Sequence, residues 1–173
     1  MSDPMIPQRF AALLESLDAY RVARHALLAV LGLPASNRDP LAELSEHLVH
    51  ALLGGELAVS RVQAHWDLTL PDGDTVQVKY LANPTGIWVN EHAIRRHANV
   101  QHYALVIFEA FAVVGVLVLP TARLPAFHAA LGKRHPRGED ELQFTQRNWQ
   151  TVRADPGRFR ALGMTVWLPS HSP

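Results

Sequence analysis

Lysine occurs only twice in this chain, at positions 79 and 133, although Lys and Arg together number 16. Lys79 lies in Val76-Gln77-Val78-Lys79-Tyr80-Leu81, just after the turn-forming run Pro71-Asp72-Gly73-Asp74. An ammonium on a strand among apolar residues is costly unless something pairs with it or uses it. Upstream, alternation along a strand puts Trp66, Leu68 and Leu70 on one face and Asp67 and Thr69 on the other. On the next strand Val76, Val78 and Tyr80 oppose Gln77 and Lys79. A two-residue turn at Asp72-Gly73 would set Asp67 beside Val78 and misalign the two apolar sets. A three-residue loop, Asp72-Gly73-Asp74, aligns them and pairs Asp67 with Lys79 and Thr69 with Gln77. The hydrophobic pattern therefore selects a register that gathers Asp67, Gln77 and Lys79 on one face.

An acid, an amide oxygen and an amine on one face suit metal-assisted phosphodiester hydrolysis. Carboxylate and carbonyl oxygens are hard ligands for Mg²⁺, which keeps several waters and binds phosphate. The ammonium can hold a phosphate oxygen, orient a water or offset negative charge in the transition state. The competing reading is a solvent-facing strand pair with an incidental ion pair.

The elements that must position these residues follow from periodicity. Residues 8 to about 31 read as a helix, stopped by Gly32 and Pro34. A second helix starts at Asp39 as N-cap with Pro40 at its first position and ends at Gly54-Gly55. Residues 57 to 70 and 75 to 82 alternate as two strands of a hairpin. A short helix is expected over 89 to 98, and buried strands over 103 to 108 and 113 to 119. A helix at 122 to 132, a basic loop at 132 to 138, a short element around 144 to 152 and a terminal strand at 164 to 168 follow. The order is that of a mixed α/β domain with a central sheet.

Bulk composition sets the class. A chain of 173 residues with 48% hydrophobic and 18% charged residues is expected to form one globular domain, 1–173. No window approaches a membrane span, Met1 to Phe10 lacks the basic-then-apolar pattern of a signal peptide, and Cys is absent. A cytoplasmic location with no membrane partner is the expectation. Net charge is zero, which argues against tight nonspecific coating of nucleic acid but not against a local basic cleft.

On these residues the chain resembles the PD-(D/E)xK nuclease superfamily, which includes many restriction endonucleases. Asp67 looks like the family's first acid, Gln77-Val78-Lys79 stands at the (D/E)-x-K position, and Glu46 looks like the helical Glu, with Glu43 as its rival. Residues 39–119 match the family's α-β-β-β-α-β core in order, leaving 1–38 as a helical extension and 120–173 as a C-terminal helix, basic loop and strand. Two departures stand out: His65-Trp66 precedes Asp67 where the family has a Pro-Asp pair, and Gln77 replaces an acid. The resemblance implies a restriction-endonuclease-like mixed sheet flanked by helices, with an extra N-terminal helix. It implies a DNA endonuclease, working as a homodimer, with Mg²⁺ (or Mn²⁺) held by Glu46, Asp67 and Gln77 and with Lys79 at the phosphate. The alternative is an inactive relative that binds nucleic acid or a protein.

Further residues are candidates for nucleic-acid contact. His65 shares the strand face of Asp67 and could touch substrate. Trp88 and Asn90 follow the Lys79 strand and could line the cleft. Arg95 and Arg96, and separately Lys133, Arg134 and Arg137, could hold phosphates, although charge runs are more often plain solvated surface. His47 and His50 read as a polar helix face, and His92, His97 and His102 as surface residues.

Overall fold

The computed structural model describes residues 8–33, 39–59, 65–82, 92–132 and 140–169. The chain divides into two compact units, residues 1–44 and 45–173. In the first, α1 (Gln8–Val30) carries exposed Leu13, Leu14, Leu17, Tyr20 and Val22, while Leu28 near its end is buried. α2 (Pro40–Leu53) begins in this unit and runs into the second. Its start obeys the capping expectation: Asp39 Oδ1 accepts the Leu41 amide at 2.9 Å, and Pro40 opens the helix. Among the described residues no helix is long and apolar enough to cross a membrane.

The second unit is mixed α/β. Its main sheet has six strands in the order β1-β2-β3-β5-β6-β8: β1 (Glu56–Leu57), β2 (Leu68–Thr69), β3 (Thr75–Leu81), β5 (His102–Glu109), β6 (Ala112–Pro120) and β8 (Thr165–Trp167). β3 and β5 are parallel and every other neighbouring pair is antiparallel, so the sheet is mixed. A second sheet pairs β4 (His92–Arg95) with β7 (Glu141–Phe144). A 3₁₀ turn (Thr121–Arg123) leads into α3 (Leu124–Ala130), and α4 (Gln146–Ala154) and α5 (Pro156–Ala161) precede β8. Thr145 and Asn148 close a capping box at the start of α4.

Cross-strand partners share a face. One row runs Lys79, Leu105, Leu117, Val166 and the next runs Gln77, Tyr103, Leu119. This face carries the hydrophobic core, where Leu105, Ile107, Leu117 and Leu119 meet Phe127, Phe144, Trp149, Val152 and Phe159. Lys79 thus stands in a row whose other members are buried aliphatics.

Two expectations are corrected here. Residues 92–95 form a strand rather than part of a helix over 89–98, because Ile94 turns inward opposite Leu142 in an antiparallel ladder with residues far downstream. The hairpin loop is Pro71-Asp72-Gly73 rather than Asp72-Gly73-Asp74. Leu70 N donates to Asp74 O at 2.8 Å and Gly73 N to Leu70 O at 2.9 Å, closing a tight turn whose bulge position is Gly73 at φ +91°. Leu68 consequently faces Val76, and Asp67 falls opposite Gln77 instead of Lys79. The apolar faces still align as the pattern requires. The alternating run expected from residue 57 to 70 keeps ladder pairing, among the described residues, only at Glu56–Leu57 and Leu68–Thr69.

The β5–β6 connection is a tight two-residue turn, since Glu109 pairs with Ala112. Its central residues, Ala110 and Phe111, have φ of 48° and 63°. Turns of this kind favour Asn-Gly because both central residues sit at positive φ. Placing Ala and Phe there costs of order 1–3 kcal/mol per residue.

Candidate functional site

The site forms where the β2–β3 ladder stops. Past the Leu68–Val76 pair, β3 keeps its bonds to β5 as far as Leu81 but has no ladder partner on the β2 side among the described residues. The Asp67 side chain takes over there. Its Oδ2 accepts the Val78 amide at 2.8 Å and also the Gln77 Nε2. Its own amide donates to Val76 O at 2.9 Å, and its carbonyl accepts Ala58 N at 3.0 Å. Asp67 therefore ties β1 and β2 to β3 at the point where regular pairing ends.

The protonation chemistry of the contact orients Gln77. An ionised carboxylate only accepts, so the Gln77 NH₂ must face Asp67 and its carbonyl oxygen lies on the other branch of the amide. Lys79 follows two residues on, half-buried and on the same face as Gln77 by strand alternation. It makes no ion pair with a described residue. Asp67, Gln77 and Lys79 are therefore gathered at one edge of the sheet opening, although Asp67 meets Gln77 rather than Lys79.

Glu46 lies on the part of α2 that belongs to the same compact unit, and it is buried at 6% exposure. Glu43, its rival, is buried as well but lies in the first unit. Burial is the reverse of the solvated helix face that spacing alone suggests, and a carboxylate is rarely kept inside unless it is satisfied or used. His50 on the same helix binds the Gly55 carbonyl at 3.1 Å through Nε2.

The donor chemistry fits a hard cation, since Asp67, Gln77 and Glu46 all offer oxygen. Among the described residues no three His, Asp or Glu gather as a metal-holding group. A cation here would rely on the amide oxygen and on water and phosphate oxygens to complete its shell, as Mg²⁺ tolerates.

The other candidates separate. Arg95 Nε meets Glu141 Oε2 at 3.1 Å and Arg96 Nη1 meets Asp140 Oδ1 at 3.6 Å, so both arginines face acids at the β4–β7 sheet. His65 is exposed and lines a depression of about 190 Å³ with His97, Ala98, Asn99 and Val100. His102 is not a plain surface residue, because its Nε2 lies 2.9 Å from Asp74 Oδ2. Thr75, at the start of β3, donates its hydroxyl to Asn99 O at 2.6 Å and its amide to Gln101 Oε1 at 3.0 Å, fixing that turn beside the hairpin. Trp88, Asn90, Lys133, Arg134 and Arg137 lie outside the described residues.

Tyr103, the partner of Gln77 on β5, gives the neighbourhood a pH dependence. Burial pushes its hydroxyl above the ordinary value of 10.0, while a backbone hydrogen bond from Arg95 and that residue's charge pull weakly the other way. The fold retains this proton after the unfolded chain has released it. The associated stability is therefore complete below the ordinary tyrosine value and declines as pH rises beyond it. Urea denaturation between about pH 9 and 11 should show a shallower loss of stability in Tyr103→Phe than in the wild type. Equal slopes would remove Tyr103 as a cause.

Sequence reasoning passed over Glu109, Phe111, Trp149 and Arg153. Trp149 Nε1 donates to Glu109 Oε1 at 3.1 Å, and Arg153 Nη1 lies 3.5 Å from Glu109 Oε2. The four arginines of residues 146–160 were a visible signal, with Asp155 the only acid among them. Compared with known proteins, the chain matches no family model and no curated protein.

Proposed function

We propose that this chain is a metal-dependent nuclease hydrolysing phosphodiester bonds in DNA, built on a restriction-endonuclease-like variant of its mixed sheet. The observation that carries the reading is the Asp67–Gln77 side-chain contact at the end of the β2–β3 ladder, with Lys79 next along the same face. Asp67, Gln77 and Glu46 would hold Mg²⁺ or Mn²⁺. When bound, that ion supplies Lewis acidity toward a phosphate oxygen and lowers the pKa of a coordinated water. Lys79 supplies the complementary positive charge, holding a non-bridging phosphate oxygen and offsetting the charge that develops there. Its row of buried aliphatic neighbours keeps the ammonium in a less solvated setting, where such attraction is stronger than in water. A homodimer, with one strand cut by each subunit, and a cytoplasmic location belong to the same reading.

A second reading has its own supporting observation. Asp67 Oδ2 already accepts two hydrogen bonds, so the carboxylate has a structural task that would survive the loss of catalysis. Under this reading the chain is an inactive nuclease fold that binds nucleic acid or a protein. Incubating plasmid and linear DNA with the purified chain, with and without Mg²⁺ or Mn²⁺, separates the two. Nicking or cleavage that EDTA abolishes supports the nuclease. No cleavage, together with no heat of Mn²⁺ binding by calorimetry, overturns it.

A further inference from the structure

The β5–β6 turn is the most strained stretch of backbone among the described residues, and it presents an aromatic ring to solvent. Ala110 and Phe111 are the only described residues other than glycine at positive φ, and Phe111 is 62% exposed. Asn or Gly would make the same turn without strain, so the turn alone does not account for a Phe. Backbone strain of this kind persists where the surrounding structure holds it, and it clusters at working sites. Here the holder is visible. Glu109, immediately before the turn, receives the Trp149 indole N–H at 3.1 Å and faces Arg153 at 3.5 Å, which anchors the tip to α4.

Register places this tip relative to Lys79. Lys79 pairs with Leu105 on the parallel neighbour β5, so both strands run toward the turn. Five residues separate Leu105 from Ala110, about 17 Å at strand rise. Gln77, Lys79, Leu105 and Ile107 share the sheet face on which α4 packs, and past the irregularity in the β5–β6 ladder at Ile107/Phe108 Glu109 still meets α4 through the Trp149 indole N–H. The segment that supplies Trp149 and Arg153 is basic in a chain of zero net charge. Residues 146–160 hold four arginines and one acid, and Asp155 is engaged in capping α5 by accepting the Arg158 amide at 3.0 Å. Arg147, Arg153 and Arg158 are exposed.

We propose that Phe111 stacks on a base of the nucleic acid whose backbone reaches Lys79, with Arg153 beside the tip holding a neighbouring phosphate. The proposal deepens the nuclease reading and rests on its substrate class. Bases stack on aromatic rings whatever their sequence, and arginines follow the backbone. A ring fixed at the tip of a rigid hairpin loses little freedom on stacking. The ligand is best formed by an unpaired or easily unstacked stretch, where a base face is open to the ring.

The test measures binding of the full chain, without divalent metal, to fluorescein-labelled 20-residue oligonucleotides, single-stranded and duplex, some carrying 2-aminopurine. Phe111→Gly should weaken single-strand binding at least about fivefold, and Phe111→Trp should retain it. Phe111→Gly should also raise the melting temperature by about 2–4 °C, because glycine adopts this φ without strain. That combination cannot come from a damaged fold. Wild-type binding should alter 2-aminopurine emission, and Phe111→Gly should abolish the change. A Phe111→Gly protein that is stable and binds as tightly as the wild type overturns the proposal, as does a shift from dimer to monomer in sedimentation without change in DNA affinity. Ring-dependent binding by a wild type that never cleaves would uphold the stacking role and defeat the nuclease reading. Cleavage that depends on Lys79 but not on Phe111 would do the opposite. A wild type that neither binds nor cleaves overturns both.

Discussion

Replacing Lys79 with Ala is expected to lower Mg²⁺-dependent DNA cleavage by about 10²–10³-fold or more while leaving the fold intact. Lys79 makes no ion pair with a described residue, so its removal strands no buried partner. Its melting temperature should stay within about 2 °C of the wild type. Asp67→Ala should also lose cleavage, but for two mixed reasons. Its carboxylate accepts the Val78 amide and the Gln77 side chain, and removing that acceptor should cost about 1–3 kcal/mol of stability. Asp67→Asn separates the two effects, since its side-chain oxygen can still accept the Val78 amide while the negative charge is gone. A stable, inactive Asp67→Asn would assign the lost activity to charge rather than to strand anchoring. Cleavage by Lys79→Ala at the wild-type rate would sink the nuclease reading, because Lys79 is the cation that this reading places at the phosphate.

How much of this was legible in the chain depends on how local each determinant is. The cap at Asp39 and Pro40, the stop at Gly54 and the strands around Val106 and Val116 follow from nearby residues, and the structure has them. The grouping of Asp67, Gln77 and Lys79 on one face also followed, because the apolar partners Leu68 and Val76 allow only one parity of register. The exact pairing did not: the loop is Pro71-Asp72-Gly73, which neither alternative offered, and the hydrogen bonds that fix it join Leu70 to Gly73 and Asp74. The strand at His92–Arg95 was missed for a different reason: its partner is Glu141–Phe144, almost fifty residues away, and four residues carry too little periodicity to announce it. Glu46 was singled out by the family resemblance alone, and its burial was not legible because helical spacing does not say which face will be covered. A connection between the strands at 103–108 and 113–119 was legible, but its two-residue form with positive φ was not, because Ala110-Phe111 holds none of the residues that favour such a turn.

Trp149→Ala is expected to be the most damaging single substitution in the core, costing about 3–5 kcal/mol. Trp149 is 1% exposed. Its ring lies against Gly115, where an added Cβ would come within 2.5 Å of Cη2, and its indole N–H holds Glu109 at the end of β5. Gly115 is thus required for close approach, and Gly115→Ala should itself cost about 1–3 kcal/mol through overpacking. The two positions are predicted to couple. With the indole gone, a methyl group at 115 projects into the vacated space instead of into a ring, so Gly115→Ala should cost much less in the Trp149→Ala background. A double-mutant cycle by urea denaturation should therefore return an interaction energy of about 0.5–3 kcal/mol. Trp149→Phe refines the argument, because it fills most of the space but removes the indole N–H from Glu109, leaving only Arg153 beside that carboxylate. If the indole N–H is what holds the strained hairpin, Trp149→Phe should weaken single-strand binding through Phe111 by more than its stability loss explains. Additive energies in the cycle would remove the Gly115–Trp149 contact as the cause, and unchanged binding in Trp149→Phe would show that the tip is held without the indole N–H.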